Sequence, residues 1–236
     1  MTELLYYKNA YQKEFTAVVQ AVQDEKLIIL DKTAFYPQGG GQPSDIGVLI
    51  KDGESYIIPH VGKKEGKIIH ETEKLGLRAG DIVKGEINWS KRHKIMRMHT
   101  AAHLISAIIH NNTQALITGN QLDEELSRID FALEEFNREQ IEGYIAEANI
   151  YIKKNLPVTS YFITKEQAAS QEQLTKLAKG LPPDIKDIRI VQIGELDKQA
   201  DGGTHVKELR ELGKIELVKL ENKGSKNRRL YFKLVD

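Results

Sequence analysis

The stretch that most constrains the fold is an apolar run around two histidines, His99 and His103. We expect a helix over roughly residues 90–110, with Asn88 or Ser90 as its cap. His99 and His103 then lie one turn apart on the same side. Apolar side chains recur at steps of three and four residues, the pattern of a helix with a buried face: Ile95, Met98, Ala102, Ile105 and Ile109.

Two imidazoles at this spacing can hold one metal ion, as they do in helical zinc sites. The spacing alone equally fits two ordinary histidines, one in the core and one at the surface. A glycine-rich stretch near the C-terminus supplies a third histidine, His205, with Asp201 four residues before it. A carboxylate oxygen binds zinc at nearly the same distance as imidazole. The four residues therefore form a candidate metal site, in which Asp201 or a water is the fourth group.

The remaining histidines lack neighbours of this kind, and we do not expect them to bind metal: His60, His70, His93 and His110, the last at the end of the helix.

The composition is that of an ordinary globular chain, since 40% of the 236 residues are hydrophobic and 29% are charged. The absence of cysteine excludes disulfides and thiolate zinc sites, and it fits a reducing compartment. No apolar run reaches the roughly 18 residues that span a membrane. The first residues also lack the basic and apolar regions of a signal peptide. We therefore expect a cytoplasmic protein without a membrane partner.

The net charge is zero, because basic and acidic residues both total 34. Local clusters of positive charge matter more than this sum for nucleic-acid binding. Two clusters could meet phosphates, although each could equally be a solvated face. The first cluster precedes the histidine pair and consists of Lys91, Arg92 and Lys94. The second lies near the C-terminus and consists of Lys226, Arg228 and Arg229.

Residues 1 to 88 contain short apolar runs separated by glycine turns, one of them expected at residues 62–66, a pattern that predicts a small barrel or sandwich of strands. Within this part, three consecutive glycines precede Gln42. Glycine offers conformational freedom and close approach to the backbone. The loop therefore either makes a bend or lets a ligand touch the main chain. It lacks the Gly-Lys-Ser/Thr of a phosphate loop, and we expect no ATP partner.

Residues 89 to 236 mix strands and helices, which predicts an α+β domain with helices on one face of an antiparallel sheet. We expect strands at 115–118, 127–133, 158–163 and 188–193, with a turn at Gly119 and Asn120. Further helices are expected at 138–154 and 165–179, the second closed by residues 180–183. Strands at 214–220 and 228–234 read as a hairpin.

Three motifs occur in order: Thr33-x-Phe-Tyr-Pro-x-x-Gly-Gly-Gln42, the histidine pair, and Gln199-Ala-x-Gly-Gly-Thr-His205-Val206. In this order they resemble the editing domain of alanyl-tRNA synthetase and its free-standing relatives, the AlaX alanyl-tRNA editing proteins. The N-terminal part is similar to that of the longer AlaX form. The resemblance implies a small N-terminal β-barrel over residues 1–88 and an α+β metal-binding editing domain over residues 89–236.

The resemblance also implies a reaction, namely hydrolysis of the ester that joins serine, or glycine, to mischarged tRNA(Ala). One zinc ion per chain would assist, held by His99, His103 and His205. One departure concerns Asp201, which stands where the family has cysteine. Asp201 either ligates the metal or points elsewhere. Three alternatives stay open: a catalytically silent tRNA-binding module, editing of another tRNA such as tRNA(Thr), and hydrolysis of an unrelated small ester.

The residue types around these motifs suit ester hydrolysis. The amides of Gly202 and Gly203, together with Thr204, can donate hydrogen bonds to a developing oxyanion. A pocket that bonds the serine hydroxyl can disfavour alanine by about 10⁴–10⁵-fold. Gln42, Thr33 and Thr204 are the candidates for that bond. The sequence does not identify a general base.

Overall fold

The structure is a computed structural model that describes residues 2–135, 137–169, 174 and 187–236. The chain divides into two compact units, Met1–Ile95 and Met96–Asp236. It is a mixed α+β protein with antiparallel sheets and few helices, as the sequence predicts. None of the helices in the described ranges has the length and apolar character that crossing a membrane requires.

The first unit is built almost entirely from strands. Its elements are β1 (Glu3–Leu4), α1 (Leu5–Lys8), β2 (Glu14–Gln23), β3 (Leu27–Leu30), β4 (Lys32–Thr33), β5 (Gly47–Lys51), β6 (Glu54–Ile58), β7 (His60–Lys64), β8 (Lys67–Glu71), β9 (Ile82–Ile87) and the start of α2 (Trp89–Thr113). Seven strands form one sheet in the order β6-β5-β9-β2-β3-β8-β7, and β1 pairs with β4 in parallel. Closure of the sheet into a barrel stays a prediction.

The core of this sheet follows from alternation along its strands. In β2, Phe15, Ala17 and Val19 are buried, while the residues between them are exposed. Close packing of β5 against β9 requires Gly47, because a Cβ there would lie 2.1 Å from the Glu86 carbonyl oxygen. Such a contact is far below any van der Waals distance, so this position accepts only glycine.

One turn in this unit is shorter than the sequence suggested. Residues 62–66 look like a glycine-rich turn, yet β7 continues through Gly62 and Lys64. Glu65 and Gly66, both with positive φ, make the turn alone. Pairing with β8 overrides the low strand propensity of glycine, because it satisfies the backbone hydrogen bonds.

The second unit holds the rest of α2 and two further sheets. Its other elements are β10 (Ile117–Gln121), β11 (Ser127–Phe131), α3 (Arg138–Lys154), β12 (Val158–Thr164), α4 (Lys165–Ala169), β13 (Asp187–Ile193), β14 (Asp197–Ala200), a 3-10 helix (Leu209–Leu212), β15 (Lys214–Asn222) and β16 (Arg228–Val235). The sheets run β10-β11-β16-β15 and β12-β13-β14, both antiparallel.

The sequence suggests either Asn88 or Ser90 as the N-terminal cap of helix α2. Asn88 accepts a hydrogen bond from the Lys91 amide at 3.1 Å, so Asn88 rather than Ser90 satisfies the first turn. The helix ends at Thr113, beyond the expected residue 110, and Gln114 follows with a φ of 59°. Nearly every residue from 95 to 110 is buried. A helix buried on all sides places its histidines in a dry environment.

Other predicted elements fare differently. Helix α3 covers the expected residues, and Asn137 caps it by accepting from the Glu139 amide at 2.9 Å. The predicted turn at Gly119 and Asn120 is wrong, since both lie in β10, where pairing with β11 satisfies the backbone. Of the predicted helix at 165–179, the structure describes Lys165–Ala169 as helical. Residues 170–173 and 175–183, including the predicted helix closure, lie outside the described residues.

Candidate metal centre

The four predicted metal ligands come together in the second unit. The Nε2 atoms of three histidines face the Asp201 carboxylate: His205 lies 3.0 Å from Oδ1, and His99 and His103 lie 3.6 and 3.8 Å from Oδ2. All four ligand atoms lie within 4.8 Å of one another. The histidines are buried, whereas the Asp201 side chain keeps 22% of its surface exposed. The cluster can hold a metal ion.

The distances suit a tetrahedral ion. With zinc bonds of about 2.0–2.2 Å, the ligand atoms of a tetrahedral site lie roughly 3.3–3.6 Å apart. From Oδ2 of Asp201, the Nε2 atoms of His99 and His103 lie at 3.6 and 3.8 Å, close to the upper end of that range, and Nε2 of His205 lies 3.0 Å from the other oxygen, Oδ1. Three imidazoles and one carboxylate are all acceptable zinc donors. The residues present therefore fit the metal that the sequence predicts.

Two segments position the ligands. Helix α2 carries His99 and His103 one turn apart, so their rings lie edge to face with centroids 5.0 Å apart. Asp201 directly follows β14, which pairs with β13. From β13, Nη1 of the buried Arg189 donates to the carbonyls of Asp201 and Gly203 at 3.1 and 2.9 Å. This guanidinium holds the backbone of the ligand loop.

In two of the histidines, a buried oxygen lies near Nδ1, the ring nitrogen that faces away from Asp201. Oγ1 of Thr100 lies 3.1 Å from Nδ1 of His205. A carboxylate oxygen of Asp197 lies 3.4 Å from Nδ1 of His103, without the alignment of a hydrogen bond. Asp197 itself accepts a hydrogen bond from Gln199 at 2.8 Å. Oxygens behind metal-binding imidazoles orient the rings and raise their basicity.

Burial and nearby charges give the three histidines different pKa values. Burial lowers the pKa of His205 to about 4 and holds the pKa of His99 well below its usual value. Burial acts in the same direction on His103, but Asp197 and Asp201 outweigh it and raise the His103 pKa to about 9. Burial also opposes the charge of Asp201, yet the surrounding rings keep the pKa of that carboxyl well below its usual value. A metal ion therefore has to displace a proton from His103.

The loop between Asp201 and His205 contains the residues expected to meet an oxyanion. The Gly203 amide donates to Oδ1 of Asp201 at 2.5 Å. That bond occupies the amide proton and removes Gly203 as an oxyanion donor, because one N–H serves one strong acceptor. Gly202 lies beside it in the loop, and Thr204 is fully buried.

The first unit holds the other substrate candidates, Thr33 and Gln42, and both are buried. Oγ1 of Thr33 lies 2.8 Å from Nε2 of His70 and accepts from the Phe35 amide at 3.1 Å. Since Nδ1 of His70 lies 3.1 Å from the Ile28 carbonyl, it carries the ring proton, and Thr33 donates to Nε2. Thr33 therefore has its donor committed inside the fold.

The basic residues predicted to contact tRNA fall into two groups. Arg92 is fully buried and bonds both Asp45 oxygens through Nε, at 2.9 and 3.0 Å, so its role is to hold this unit together. Arg228 is buried and donates to backbone carbonyls of the nearby turn, including that of Gly224 at 2.6 Å. The sequence prediction assigned both to phosphate, and burial corrects that assignment.

The other basic residues lie nearer to solvent. Lys94 and Lys226 are exposed, Lys91 is partly exposed, and Lys226 pairs with Glu134 at 3.1 Å. Arg229 is 19% exposed and makes two bonds to Asp130, at 2.7 and 2.8 Å. An exposed lysine can exchange such a partner for a phosphate at little cost.

Sequence reasoning missed three residues at the centre: Thr100, Arg189 and Asp197. Two weak signals point to them. Arg189 interrupts the apolar run 188–191 of β13, and a buried charge needs partners. Asp197 precedes Asp201 by four residues, and residues 197–200 form β14. No local pattern marks Thr100.

Two family models match the chain. That of class II (A) tRNA synthetases covers residues 3–91, and that of the threonyl and alanyl tRNA synthetase second additional domain covers residues 188–231. Together with the antiparallel α+β fold and the histidine-rich cluster, these matches define a protein of the synthetase-related editing-domain class.

Relatives that align over the full length show which family within this class the chain belongs to. The chain is 46% identical to the alanyl-tRNA editing protein AlaX-M of Methanosarcina barkeri over 243 residues, covering 100% of both chains. It is 45% identical to AlaX-M of Methanosarcina acetivorans over 245 residues, again covering 100% of both. An alanine–tRNA ligase of Methanococcus maripaludis is 38% identical over 93% of this chain and 24% of the ligase. The chain belongs to the AlaX family of alanyl-tRNA editing proteins.

Proposed function

We propose that the protein is a zinc-dependent deacylase that hydrolyses the ester joining serine to the 3′-terminal ribose of tRNA(Ala), with the glycine ester as a second substrate. Family membership supports the class of reaction. The observation that carries the proposal is the convergence of three buried Nε2 atoms on the Asp201 carboxylate. We place the editing domain at residues 89–236 and its partner domain at residues 1–88.

The proposed centre holds one zinc ion through His99, His103, His205 and Asp201. A bound zinc ion supplies Lewis-acid polarisation of the ester carbonyl. Burial keeps the His99 and His205 rings neutral near pH 7, so each ring has one nitrogen lone pair that could ligate a metal. Arg189 fixes the loop that carries Asp201, and this support reduces reorganisation when substrate binds.

The chain's own groups stabilise the transition state in this proposal. With the Gly203 amide committed to Asp201, the Gly202 amide and the Thr204 hydroxyl are the oxyanion donors that we assign to the loop. One donor of this kind contributes about 10²–10³ in kcat. The residue that accepts the proton of the attacking water stays unassigned.

Selectivity for serine requires a polar partner for its hydroxyl. Gln42 and Thr204, which are both buried polar side chains, are the residues that we propose for this bond. Alanine would leave such a buried group without a partner, at a cost of about 10⁴–10⁵ in kcat/KM. The tRNA would be held through phosphates by Lys91, Lys94, Lys226 and Arg229.

The test is single-turnover deacylation of seryl-tRNA(Ala) and alanyl-tRNA(Ala) by the zinc-loaded protein and its Gln42→Ala and Thr204→Val variants. Gln38→Ala is the matched control, because Gln38 lies in the same loop but is exposed. We expect fast loss of serine, slow loss of alanine, and weaker discrimination in both variants. Unchanged discrimination would reject the assignment of the two residues.

Two outcomes of the same test would reject the activity itself. Binding of tRNA without turnover of either ester would mean a catalytically silent module, which the replacement of cysteine by Asp201 favours. Turnover of small esters but not of charged tRNA would mean an unrelated hydrolase. Seryl-tRNA(Thr) serves as the comparison substrate that tests the tRNA species.

A further inference from the structure

Thr100 occupies a buried position between the two segments that carry the candidate ligands. Its Oγ1 lies 3.1 Å from Nδ1 of His205 and accepts a hydrogen bond from the Val206 amide at 3.2 Å. The side chain has no exposed surface. We propose that Thr100 is a positioning residue that fixes the His205 ring, so that in the metal-bound chain its proton lies on Nδ1 and its Nε2 lone pair is directed at the metal site. This inference rests on the proposed metal centre.

Proton accounting supports this arrangement. A neutral imidazole carries one ring proton, and the nitrogen that binds a metal must be the other one. Because Nε2 of His205 faces Asp201 at 3.0 Å, the metal-binding form needs its proton on Nδ1. Nδ1–H then donates to Oγ1 of Thr100, which has two lone pairs and can also accept the Val206 amide. When no metal is bound, Nε2–H of His205 can instead donate to Oδ1 of Asp201 while the Thr100 hydroxyl donates to Nδ1, so the same geometry keeps the ring fixed in both forms.

The hydroxyl differs in kind from the oxygen behind His103. There a buried carboxylate, Asp197, lies 3.4 Å from Nδ1 and favours a charged ring. Thr100 is uncharged, so it orients His205 without stabilising an imidazolium.

The position of Thr100 along the chain adds a second effect. Thr100 follows His99 directly on α2, while His205 and Val206 lie 105 and 106 residues later. One side chain therefore connects the helix that carries two ligands to the loop that carries the other two. Loss of the hydroxyl would leave the buried Val206 amide without its acceptor and let the His205 ring rotate.

The experiment measures zinc affinity of the full chain by chelator competition, without RNA, in three variants. Thr100→Val removes the hydroxyl at constant shape, and Thr100→Ser restores it. Ser106→Ala is the control, since Ser106 is buried on the same helix and its hydroxyl has no partner among the described residues. We expect Thr100→Val to weaken zinc binding by about 10–100-fold, with Thr100→Ser and Ser106→Ala near the parent value.

A second readout uses the unaltered protein, in case Thr100→Val does not fold. In the zinc-loaded chain, ¹⁵N NMR of the imidazoles should show the His205 proton on Nδ1. A proton on Nε2 there, or zinc affinity in Thr100→Val equal to that of the parent, would overturn the inference. Neither readout uses deacylation, so a failed inference is distinguishable from a failed proposal for the reaction.

Discussion

Oδ1 of Asp201 lies 3.0 Å from Nε2 of His205. The same oxygen accepts the Gly203 amide at 2.5 Å, so the loop folds around the carboxylate. The other oxygen, Oδ2, faces the two histidines of α2. Asp201 is thereby oriented toward the histidines rather than toward solvent, and its charge can serve the centre.

Removing this charge should weaken the centre. Asp201→Asn keeps the shape but loses a charged donor, and we expect zinc affinity to fall by about 10–100-fold. Asp201→Cys introduces a thiolate, a softer donor, and should bind zinc at least as tightly as the parent. Chelator competition measures both. Glu195→Gln is the control, because Glu195 is an exposed carboxylate in the turn between β13 and β14. Equal affinity in Asp201→Asn and the parent would exclude Asp201 as a ligand.

The metal-free protein should lose stability with rising pH. Burial lowers the pKa of His103, but Asp197 and Asp201 raise it from 6.5 to about 9. The folded pKa exceeds the unfolded one, so the protonated ring contributes stability that is fully present below about pH 6.5 and lost as the pH rises through about 9. The slope is at most about 1.4 kcal/mol per pH unit.

Urea unfolding in the presence of a chelator, between pH 6.5 and 9.5, measures this slope. The lower limit avoids the range in which the low pKa values of His99 and His205 act in the opposite direction. His103→Gln should flatten the curve. A flat curve for the parent would contradict the assigned direction.

Arg92 should matter for stability rather than for tRNA. Its guanidinium bonds Asp45 and the carbonyls of Ala10 and Ala34, at 2.9 and 2.6 Å. Arg92→Met leaves the buried Asp45 charge without its cation and should cost about 3–5 kcal/mol. Lys94→Met, an exposed change on the same helix, should stay within about 0.5 kcal/mol. Denaturant unfolding of both variants checks this. If Arg92→Met left the free energy of unfolding nearly unchanged but weakened tRNA binding, Arg92 would be a phosphate contact after all.

The exposed lysines should set the salt dependence of tRNA binding. Lys94→Ala and Lys226→Ala each remove a proposed phosphate contact and should reduce the slope of log K against log salt by roughly one unit. Fluorescence titration with tRNA(Ala) over a series of salt concentrations measures this slope. Lys165→Ala is the control, since it lies outside both basic clusters. Slopes unchanged from the parent would show that neither lysine meets phosphate.

The sequence predicted periodic elements best. Helix α3 carries a clear apolar period along one face. The histidine stretch of α2 is instead apolar over most of its length and buried on all sides, so its length and composition rather than a single face identify it. In β7 and β10, glycines were predicted to form turns, but they lie within strands. Pairing with a neighbouring strand decides where such strands end, and the local sequence does not show it.

The four candidate ligands were likewise predictable, because the chemistry of histidine and carboxylate near glycine is visible locally. The residues that support them were not. Thr100 meets His205 across 105 residues of chain, and Arg92 meets Asp45 across 47. Both pairs depend on how distant segments pack. For that reason Arg92 looked like part of a basic surface although the fold buries it.

The central claim is that a metal held by His99, His103, His205 and Asp201 is needed to deacylate tRNA(Ala). The most direct measurement determines metal content and seryl-tRNA(Ala) deacylation on one sample, before chelation, after chelation and after zinc is restored. We predict one zinc per chain, loss of activity together with the metal, and recovery of both. Full activity in the metal-free protein would contradict the claim.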